Sequence, residues 1–303
     1  MLAYSAMGQP ITTSEFTRRL DALASRHGDP VAGFFGPGSI TWEINRDSVT
    51  YIGGLRALLM QIAHPKVAQG VAEHSNYKED PFGRLFRTID TVHDLVFGDL
   101  ETAMTTATRL HTVHQRVGGT LPEPVPWPHT RRYTANDPEL LRWVYATLID
   151  SAMVTHRLFL PDLAPVAWER YYGESKIFAE LCGVSADDLP ETLVDFRSWM
   201  RQTVDGPTLH VGDTARSIAD AIIKGPPIMY PLRPSNYVLA AGMLPGRMRE
   251  AFGLGWSVPV RVSYTFGVLA TRTLMRNVPL AIRSLPVARR AERRCDDALR
   301  HAA

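Results

Sequence analysis

Apolar residues recur at helical spacing along most of the chain, whereas the strict alternation of apolar and polar residues that is typical of strands is rare. Several predicted helix ends have a local cause, such as the capping carboxylate of Asp137 before Pro138 and the glycine pair Gly118-Gly119. The pattern predicts helices over residues 14–26, 47–63, 65–73, 81–97, 99–117, 138–159, 164–181, 190–204, 213–223, 234–252, 257–276 and 279–300. We therefore predict an all-α fold.

Two proline-rich loops, over residues 118–137 and 224–234, separate groups of predicted helices. Neither has the composition of an interdomain linker, so both are interpreted as ordered loops of a single multi-helix domain. On this basis we expect an N-terminal helical arm over residues 1–30, a main all-α domain over 31–280 and a C-terminal basic helix over 281–303.

The helix predicted over residues 99–117 carries two histidines on or near its apolar side. At 100° per residue, this apolar stripe consists of Ala103, Ala107, Leu110, Val113 and Val117. His114 falls inside the stripe and His111 at its edge. A buried imidazole must find a partner, because an unpaired buried polar group costs about 1–3 kcal/mol. The pattern fits a core histidine bonded to a carbonyl, and it also fits an axial ligand of haem, which needs only one histidine.

The helix predicted over residues 81–97 has a second stripe beside its main apolar face. Its members are Arg84, Thr88, Thr91 and Leu95, with Arg87 alongside. Such a stripe is either a solvated surface or a second buried face that lines a polar cofactor or oxygen pocket. The spacing alone fits both.

A third group of residues could hold a metal. Its members are His64, Glu73 and His74, with Asp80 and His93 nearby in sequence. Their spacing matches no compact metal-binding motif such as HExxH, ExxH or CxxC. A zinc or di-iron site, which needs several protein ligands, is retained as an alternative.

Composition limits the class of protein. The chain has 303 residues, of which 45% are hydrophobic and 21% charged, and both values are ordinary for a globular protein. A net charge of only +2 does not predict a nucleic-acid partner. The most apolar stretches are interrupted by charged residues, so no integral membrane segment is expected. Two cysteines without a motif and the lack of an export signal lead us to expect a cytoplasmic location.

Several blocks of the sequence resemble those of one protein family. They are residues 58–65 (LLMQIAHP), 67–75 (VAQGVAEHS), 80–88 (DPFGRLFRT), 96–98 (VFG), 114–118 (HQRVG), 133–138 (YTANDP) and 143–148 (WVYATL). The likeness extends over roughly residues 34–251, and its most specific part is residues 61–88. These blocks resemble the rubber oxygenase catalytic-domain family, which includes the latex clearing proteins and the endoplasmic-reticulum-bound oxygenase of mycophenolic acid biosynthesis.

The resemblance implies an all-α fold with a globin-like core around one b-type haem. In the latex clearing proteins a histidine is the proximal iron ligand and a second histidine precedes it by three residues. His114 matches the ligand and His111 its companion. The resemblance also implies a distal Arg-x-x-Lys-Thr motif, which residues 84–88 match as RLFRT.

Two positions depart from the family pattern. Arg87 stands in place of the motif's lysine, and arginine cannot lose a proton to ligate iron. Arg84 or Arg87 is therefore expected to donate hydrogen bonds to bound oxygen or to a haem propionate, with Thr88 as a second donor. Tyr145 stands where the family commonly has histidine, and Glu73 is the nearest candidate for a catalytic acid or base.

The sequence thus leads to the hypothesis of a haem-b-dependent oxygenase that acts on an apolar isoprenoid, lipid or aromatic metabolite with dioxygen or peroxide. His114 would ligate the iron, His111, Arg84 and His64 would contact the cofactor, and Arg84, Arg87, Thr88 and Glu73 would be catalytic. The expected partners are a small apolar substrate and dioxygen, and the hypothesis allows an electron donor. A non-catalytic haem or lipid carrier, a zinc or di-iron helical enzyme and a purely structural helical protein are the alternatives.

Overall fold

The fold is seen in a computed structural model, which describes the backbone of residues 10–75, 81–122, 131–225 and 227–302. The side chains of residues 81–86, Met229 and Ala302 lie outside this description. The statements below concern the described residues.

The described chain is mainly helical, with two short strands, which confirms the predicted all-α class. In chain order the α-helices are α1 Thr13–His27, α2 Ile40–Asn45, α3 Ile52–Ile62, α4 Pro65–His74, α5 Pro81–Phe97, α6 Leu100–Gln115, α7 Pro138–Phe159, α8 Pro165–Leu181, α9 Leu193–Asp205, α10 Asp213–Lys224, α11 Arg233–Met243, α12 Gly246–Ala251, α13 Val258–Asn277, α14 Leu280–Arg283 and α15 Pro286–Ala302. Short 3-10 helices occupy Ser48–Tyr51, Ala186–Asp188 and Pro227–Leu232.

Within the first proline-rich loop, two short strands form an antiparallel pair that the sequence pattern did not predict. They are β1 Gly118–Thr120 and β2 Arg132–Thr134, with Gly119 opposite Tyr133. Three residues per strand are too few to show a periodic pattern, which explains why the pattern missed them.

Three of the predicted helices differ from the observed ones: two are divided by a break, and one begins differently. The helix predicted over 234–252 is divided into α11 and α12 at Pro245, before which Leu244 takes an extended conformation. The helix predicted over 279–300 is divided into α14 and α15 ahead of Pro286. The residue before a proline disfavours the helical conformation, so both divisions have a local cause. The helix predicted over 47–63 begins with a 3-10 turn, and α2 was not predicted.

The core is centred on α3 and α7, which pack side by side. Gly53 allows this close approach, since an added Cβ there would collide with Thr155 Oγ1 and lie 3.0 Å from the carbonyl oxygen of Ser151. The fully buried Trp143 of α7 donates its indole N–H to the carbonyl of Met60 at 3.1 Å. These contacts fix the two helices that form one wall of the site described below.

The two ends of the described chain pack against the middle of the molecule. Helix α1 contacts α6 and α8, and α15 contacts α5. Arg294 of α15 donates hydrogen bonds to the carbonyls of Val31 and Phe97 at 2.8 and 2.7 Å. The division into an arm, a main domain and a terminal helix stays a prediction. Over the described ranges, no helix combines the length and the apolar character that crossing a membrane requires.

Candidate functional site

Helices α5 and α6 pack against each other as a hairpin. Only Gly98 and Asp99 connect them, and the Asp99 side chain accepts a hydrogen bond from the backbone N–H of Thr102 at 2.8 Å, which caps α6. Across the pair, Thr106 Oγ1 donates to Asp94 at 3.2 Å. Because the two helices run in opposite directions, the start of α5 and the end of α6 lie at the same end of the hairpin. The segment with Arg87 and Thr88 therefore shares that end with His114.

His114 is half-buried, and its Nδ1 atom is buried without a hydrogen-bond partner among the residues that the structure describes. Burial, with a smaller effect of His111, lowers the pKa of His114 to about 4. The imidazole is therefore neutral near pH 7, which is the form that ligates a metal ion. A neutral, unpartnered imidazole nitrogen at this position fits the requirement for an axial ligand of haem iron.

His111 is more deeply buried than the apolar stripe predicts. Its ring stacks on Phe16 of α1, with centroids 4.3 Å apart and an angle of 1° between the planes. Its carbonyl accepts a hydrogen bond from Asn136 at 3.2 Å. Val113, by contrast, is 51% exposed, so its place in the predicted stripe is wrong. His111 therefore lies on the inner face of α6, and its stacking on Phe16 holds α6 against α1.

The second stripe of α5 is not a solvated surface over its described part. Thr88 and Thr91 are half-buried and Leu95 is buried, whereas Arg87 is exposed. The side chain of Arg84 lies outside the described residues. Thr88 also lines a partly open cavity, so the described part of α5 brings one predicted distal residue to this space.

Glu73 and His74 connect α4 to the β-hairpin that follows α6. Glu73 accepts hydrogen bonds from the hydroxyl of Tyr133 and from the amide of Gln69, and these bonds lower the pKa of its carboxyl group. His74 Nε2 lies 3.0 Å from the carbonyl oxygen of Gly118. Glu73 is exposed and already bonded, and its lowered pKa makes it a weak base.

His64 is buried at the start of α4, at a different place from His74 and His111. In the part of the chain that is described, no group of three or more His, Cys, Asp or Glu side chains is arranged to hold a metal ion. His64, His74 and His111 therefore do not come together as the zinc or di-iron alternative requires.

A partly open cavity of about 100 Å³ lies between α2, α3, α5, α7 and α8. Thr88, Ile89, Val92 and Val96 of α5 form one wall. Opposite walls carry small residues, namely Gly54 and Ala57 of α3 and Ala152 of α7. Sequence reasoning missed this space. Gly53 and Gly54 are adjacent in the sequence, but a glycine pair inside a helix does not by itself predict a pocket.

Tyr145 is almost fully buried, and burial raises the pKa of its phenol. Its hydroxyl lies 2.7 Å from Ser175 Oγ, which in turn donates to the carbonyl of Tyr172 at 2.7 Å. Tyr145 thus joins α7 to α8 behind the cavity.

Comparisons with known proteins give one matching family and one similar solved structure. Residues 42–276 match the family described as the ER-bound oxygenase mpaB/B'/rubber oxygenase catalytic domain. Among solved structures, latex clearing protein LCP in the closed state is similar, with a TM-score of 0.52 and 17% identity over 94% of this chain and 73% of that chain. At this identity the structural likeness concerns the fold. No curated protein sequence matches the chain.

Proposed function

Because this chain belongs to the family of the ER-bound oxygenases mpaB/B' and the rubber oxygenases, we propose that it is a haem-b-dependent oxygenase that oxidises a small apolar organic molecule with dioxygen or peroxide. The oxygenase class follows from the family. The haem, the apolar substrate, a cytoplasmic location and an electron donor are parts of our proposal.

The observation that carries the proposal is the neutral imidazole of His114 at the end of α6, whose buried Nδ1 atom has no hydrogen-bond partner among the described residues. Haem requires a single protein ligand of this kind and would supply the oxygen-activating chemistry when bound. His111 would hold α6 in position through its stacking on Phe16. His64, buried at the start of α4, is proposed as a further residue near the cofactor.

The residues proposed for the distal side differ in what they can do. Arginine keeps its proton, so Arg84 and Arg87 would donate hydrogen bonds to an anionic oxygen or propionate without ligating iron. Thr88 offers a neutral hydroxyl on the wall of the cavity. Glu73 stays the candidate proton acceptor, although its bonds to Tyr133 and Gln69 already engage its carboxylate.

The test is the absorption spectrum of protein purified from haem-supplied cells. We expect a Soret band in the wild-type protein and in His27→Ala, which changes an exposed histidine at the end of α1. We expect the band to disappear in His114→Ala while circular dichroism shows an intact helical fold. A wild-type protein without a Soret band, or a His114→Ala protein with an unchanged one, would contradict the proposal.

Turnover distinguishes an oxygenase from a haem or lipid carrier. With a reductant and an apolar candidate substrate, the enzyme consumes oxygen in proportion to the product formed. A protein that binds haem but shows no substrate-dependent oxygen consumption with isoprenoid, lipid and aromatic candidates would be a carrier instead.

A further inference from the structure

We propose that the outward side of α13 binds the surface of a lipid bilayer that contains anionic headgroups. The inference concerns an interaction surface, goes beyond the proposed function and does not depend on it. We call this surface the α13 face. It consists of exposed apolar side chains with exposed arginines beside them, namely Val258, Val262, Phe266 and Leu269 with Arg261 and Arg276.

The apolar side chains of the α13 face form a row in solvent. None of the residues of α13 is buried, although the helix extends over Val258–Asn277. The four apolar residues follow one another at spacings of four, four and three positions, which places them on one side of the helix. Their exposed fractions are 69, 62, 72 and 61%. A row of exposed apolar side chains, unlike a single one, marks a surface that another apolar phase or molecule covers.

The opposite side of α13 holds the helix on the protein. Val268 and Met275 pack against the small buried cluster that includes Phe159 at the end of α7. The ring of Tyr264 lies against Gly242 of α11, where an added Cβ would collide with it. Packing on α7 and α11 therefore fixes the direction of α13 and leaves the α13 face turned outward.

The positive charge of the α13 face is not neutralised by its neighbours. Arg261 and Arg276 are exposed, and residues 251–291 contain no aspartate or glutamate. The helices that mainly pack on α13 are α7 and α11. Helix α11 has no acidic residue, and Asp150 in the middle of α7 is paired with Arg56 at 2.6 Å. The counter-charge that these arginines require must come from outside the described chain.

An anionic bilayer supplies both the apolar phase and the counter-charge. A helix with an apolar stripe and basic residues beside it lies in the plane of the membrane surface, with the stripe at the boundary between headgroups and acyl chains. Long arginine side chains reach from this depth to phosphate oxygens, to which they donate charge-assisted hydrogen bonds. A single outward helix is convex, and a fluid bilayer can yield to that shape.

A second copy of this chain fits the α13 face less well. A two-fold dimer would place the same face of both copies together, so the arginines of one copy would meet those of the other. Residues 251–291 offer no carboxylate to pair with them. Like charges brought together across an interface oppose association. The charge of the face thus favours an anionic lipid surface over self-association.

Flotation of the protein with lipid vesicles tests the proposal. One set of vesicles is phosphatidylcholine alone, and the other is a mixture of phosphatidylcholine and phosphatidylserine. We expect binding to the mixed vesicles that weakens as salt is added, and weaker binding to phosphatidylcholine alone. Failure of the wild-type protein to bind the mixed vesicles would overturn the proposal.

Val262→Asp tests the apolar part of the face, because it places a charge in the stripe. We expect its affinity for the mixed vesicles to fall at least about tenfold, the effect of losing one buried valine. Val194→Asp is the matched control, since it makes the same change at a valine of α9 that is 65% exposed, and it should bind like the wild type. Equal binding by these two variants would place the contact elsewhere and would overturn the proposal.

Arg261→Gln tests the charged part of the face. Its affinity for the mixed vesicles should fall about fivefold, the effect of one arginine near an anionic surface, with little change for phosphatidylcholine alone. Arg201→Gln, at an exposed arginine of α9, removes the same charge from another surface and should bind like the wild type. Equal losses in both variants would show a general effect of net charge and would contradict a role of the α13 face.

Two further measurements keep the result interpretable. Circular dichroism melting should be unchanged in the α13 variants because their side chains are exposed, and Phe266→Gln replaces Val262→Asp if the latter does not fold. Sedimentation velocity measures self-association. A wild-type dimer that Val262→Asp disrupts, together with no binding to the mixed vesicles, would show that a second copy covers the α13 face and would overturn the proposal.

Discussion

Burial lowers the pKa of His114 and that of His156 to about 4. The same loss of water that favours the neutral imidazole at His114 therefore also acts at a site without a proposed catalytic role. His156 packs its ring edge-to-face against Trp168 of α8, with centroids 5.2 Å apart. Among the described residues, His156 also shares with His114 a buried Nδ1 atom that has no hydrogen-bond partner. A low imidazole pKa and an unpartnered nitrogen therefore mark a candidate ligand only at a plausible cofactor position.

Protonation of His156 should lower the stability of the fold in acid. Its folded-state pKa of about 4 lies below the ordinary 6.5, so the unfolded chain binds more protons between these values. The stabilisation is complete above about pH 6.5 and is lost as the pH falls towards 4. From pH 7 to pH 5 the loss from this residue should be about 2 kcal/mol.

Urea denaturation of the wild-type protein and of His156→Phe at both pH values measures this effect. The variant keeps an aromatic ring against Trp168 but cannot titrate. We expect its stability to fall by about 2 kcal/mol less than that of the wild-type protein between pH 7 and pH 5. His27→Phe, at an exposed position, should behave like the wild type. Equal losses in wild type and His156→Phe would show that His156 does not control the acid response.

Single residues also show what the sequence could predict about the site. His114 was predicted as the ligand because its position on a helix and the block HQRVG pointed to the same residue; its role as a ligand stays a prediction. The pocket carried no such signal. Five helices that are distant in sequence surround it, and no local pattern records the space between them.

At the scale of elements, a substitution of glycine by alanine should have opposite effects on stability inside the α3–α7 contact and on the exposed side of α8. Gly53→Ala would force the added methyl group against Thr155 and Ser151, and such overpacking costs about 1–3 kcal/mol. Gly173, inside α8, is exposed and an added Cβ there meets nothing within 4 Å. Gly173→Ala should therefore stabilise the protein by up to about 1 kcal/mol through helix propensity.

Thermal unfolding of the two variants measures the difference. Gly53→Ala should melt below the wild type and Gly173→Ala at or above it. A Gly53→Ala protein as stable as Gly173→Ala would mean that α3 and α7 can separate at little cost, and the cavity wall would then be less rigid than the contact indicates.

Helix boundaries were predictable where a side chain caps the helix and less so where tertiary contacts decide. Asp137 and Pro138 start α7 at the predicted residue. The apolar periodicity continues across Pro245 and Pro286, so the pattern joined helices that the chain divides. The division at Pro286 lies beside a backbone hydrogen bond from Leu285 to Arg46, a contact across most of the sequence.

At the scale of the whole molecule, the C-terminal helix closes the fold over the site hairpin. Besides the bonds of Arg294 to Val31 and Phe97, Glu292 accepts a hydrogen bond from Arg46 at 3.0 Å. Although α15 is rich in basic residues, its inner face includes the buried residues Ala288 and Ala291. Phe97 is the last residue of α5. The hydrogen bond from Arg294 to its carbonyl therefore connects α15 to the helix that carries Thr88.

Arg294 and its neighbour Arg293 allow a matched test of this closure. Arg294→Met keeps most of the side-chain length but leaves the carbonyls of Val31 and Phe97 without their charged donor, which should cost about 2 kcal/mol in urea denaturation. Arg293 is exposed, and Arg293→Met should change stability by less than about 0.5 kcal/mol. If α15 supports the site through Phe97, Arg294→Met should also lower the haem content of the purified protein, whereas Arg293→Met should not. Equal stability of the two variants would mean that the hydrogen bonds of Arg294 contribute nothing measurable and that the apolar inner face alone holds α15 in place.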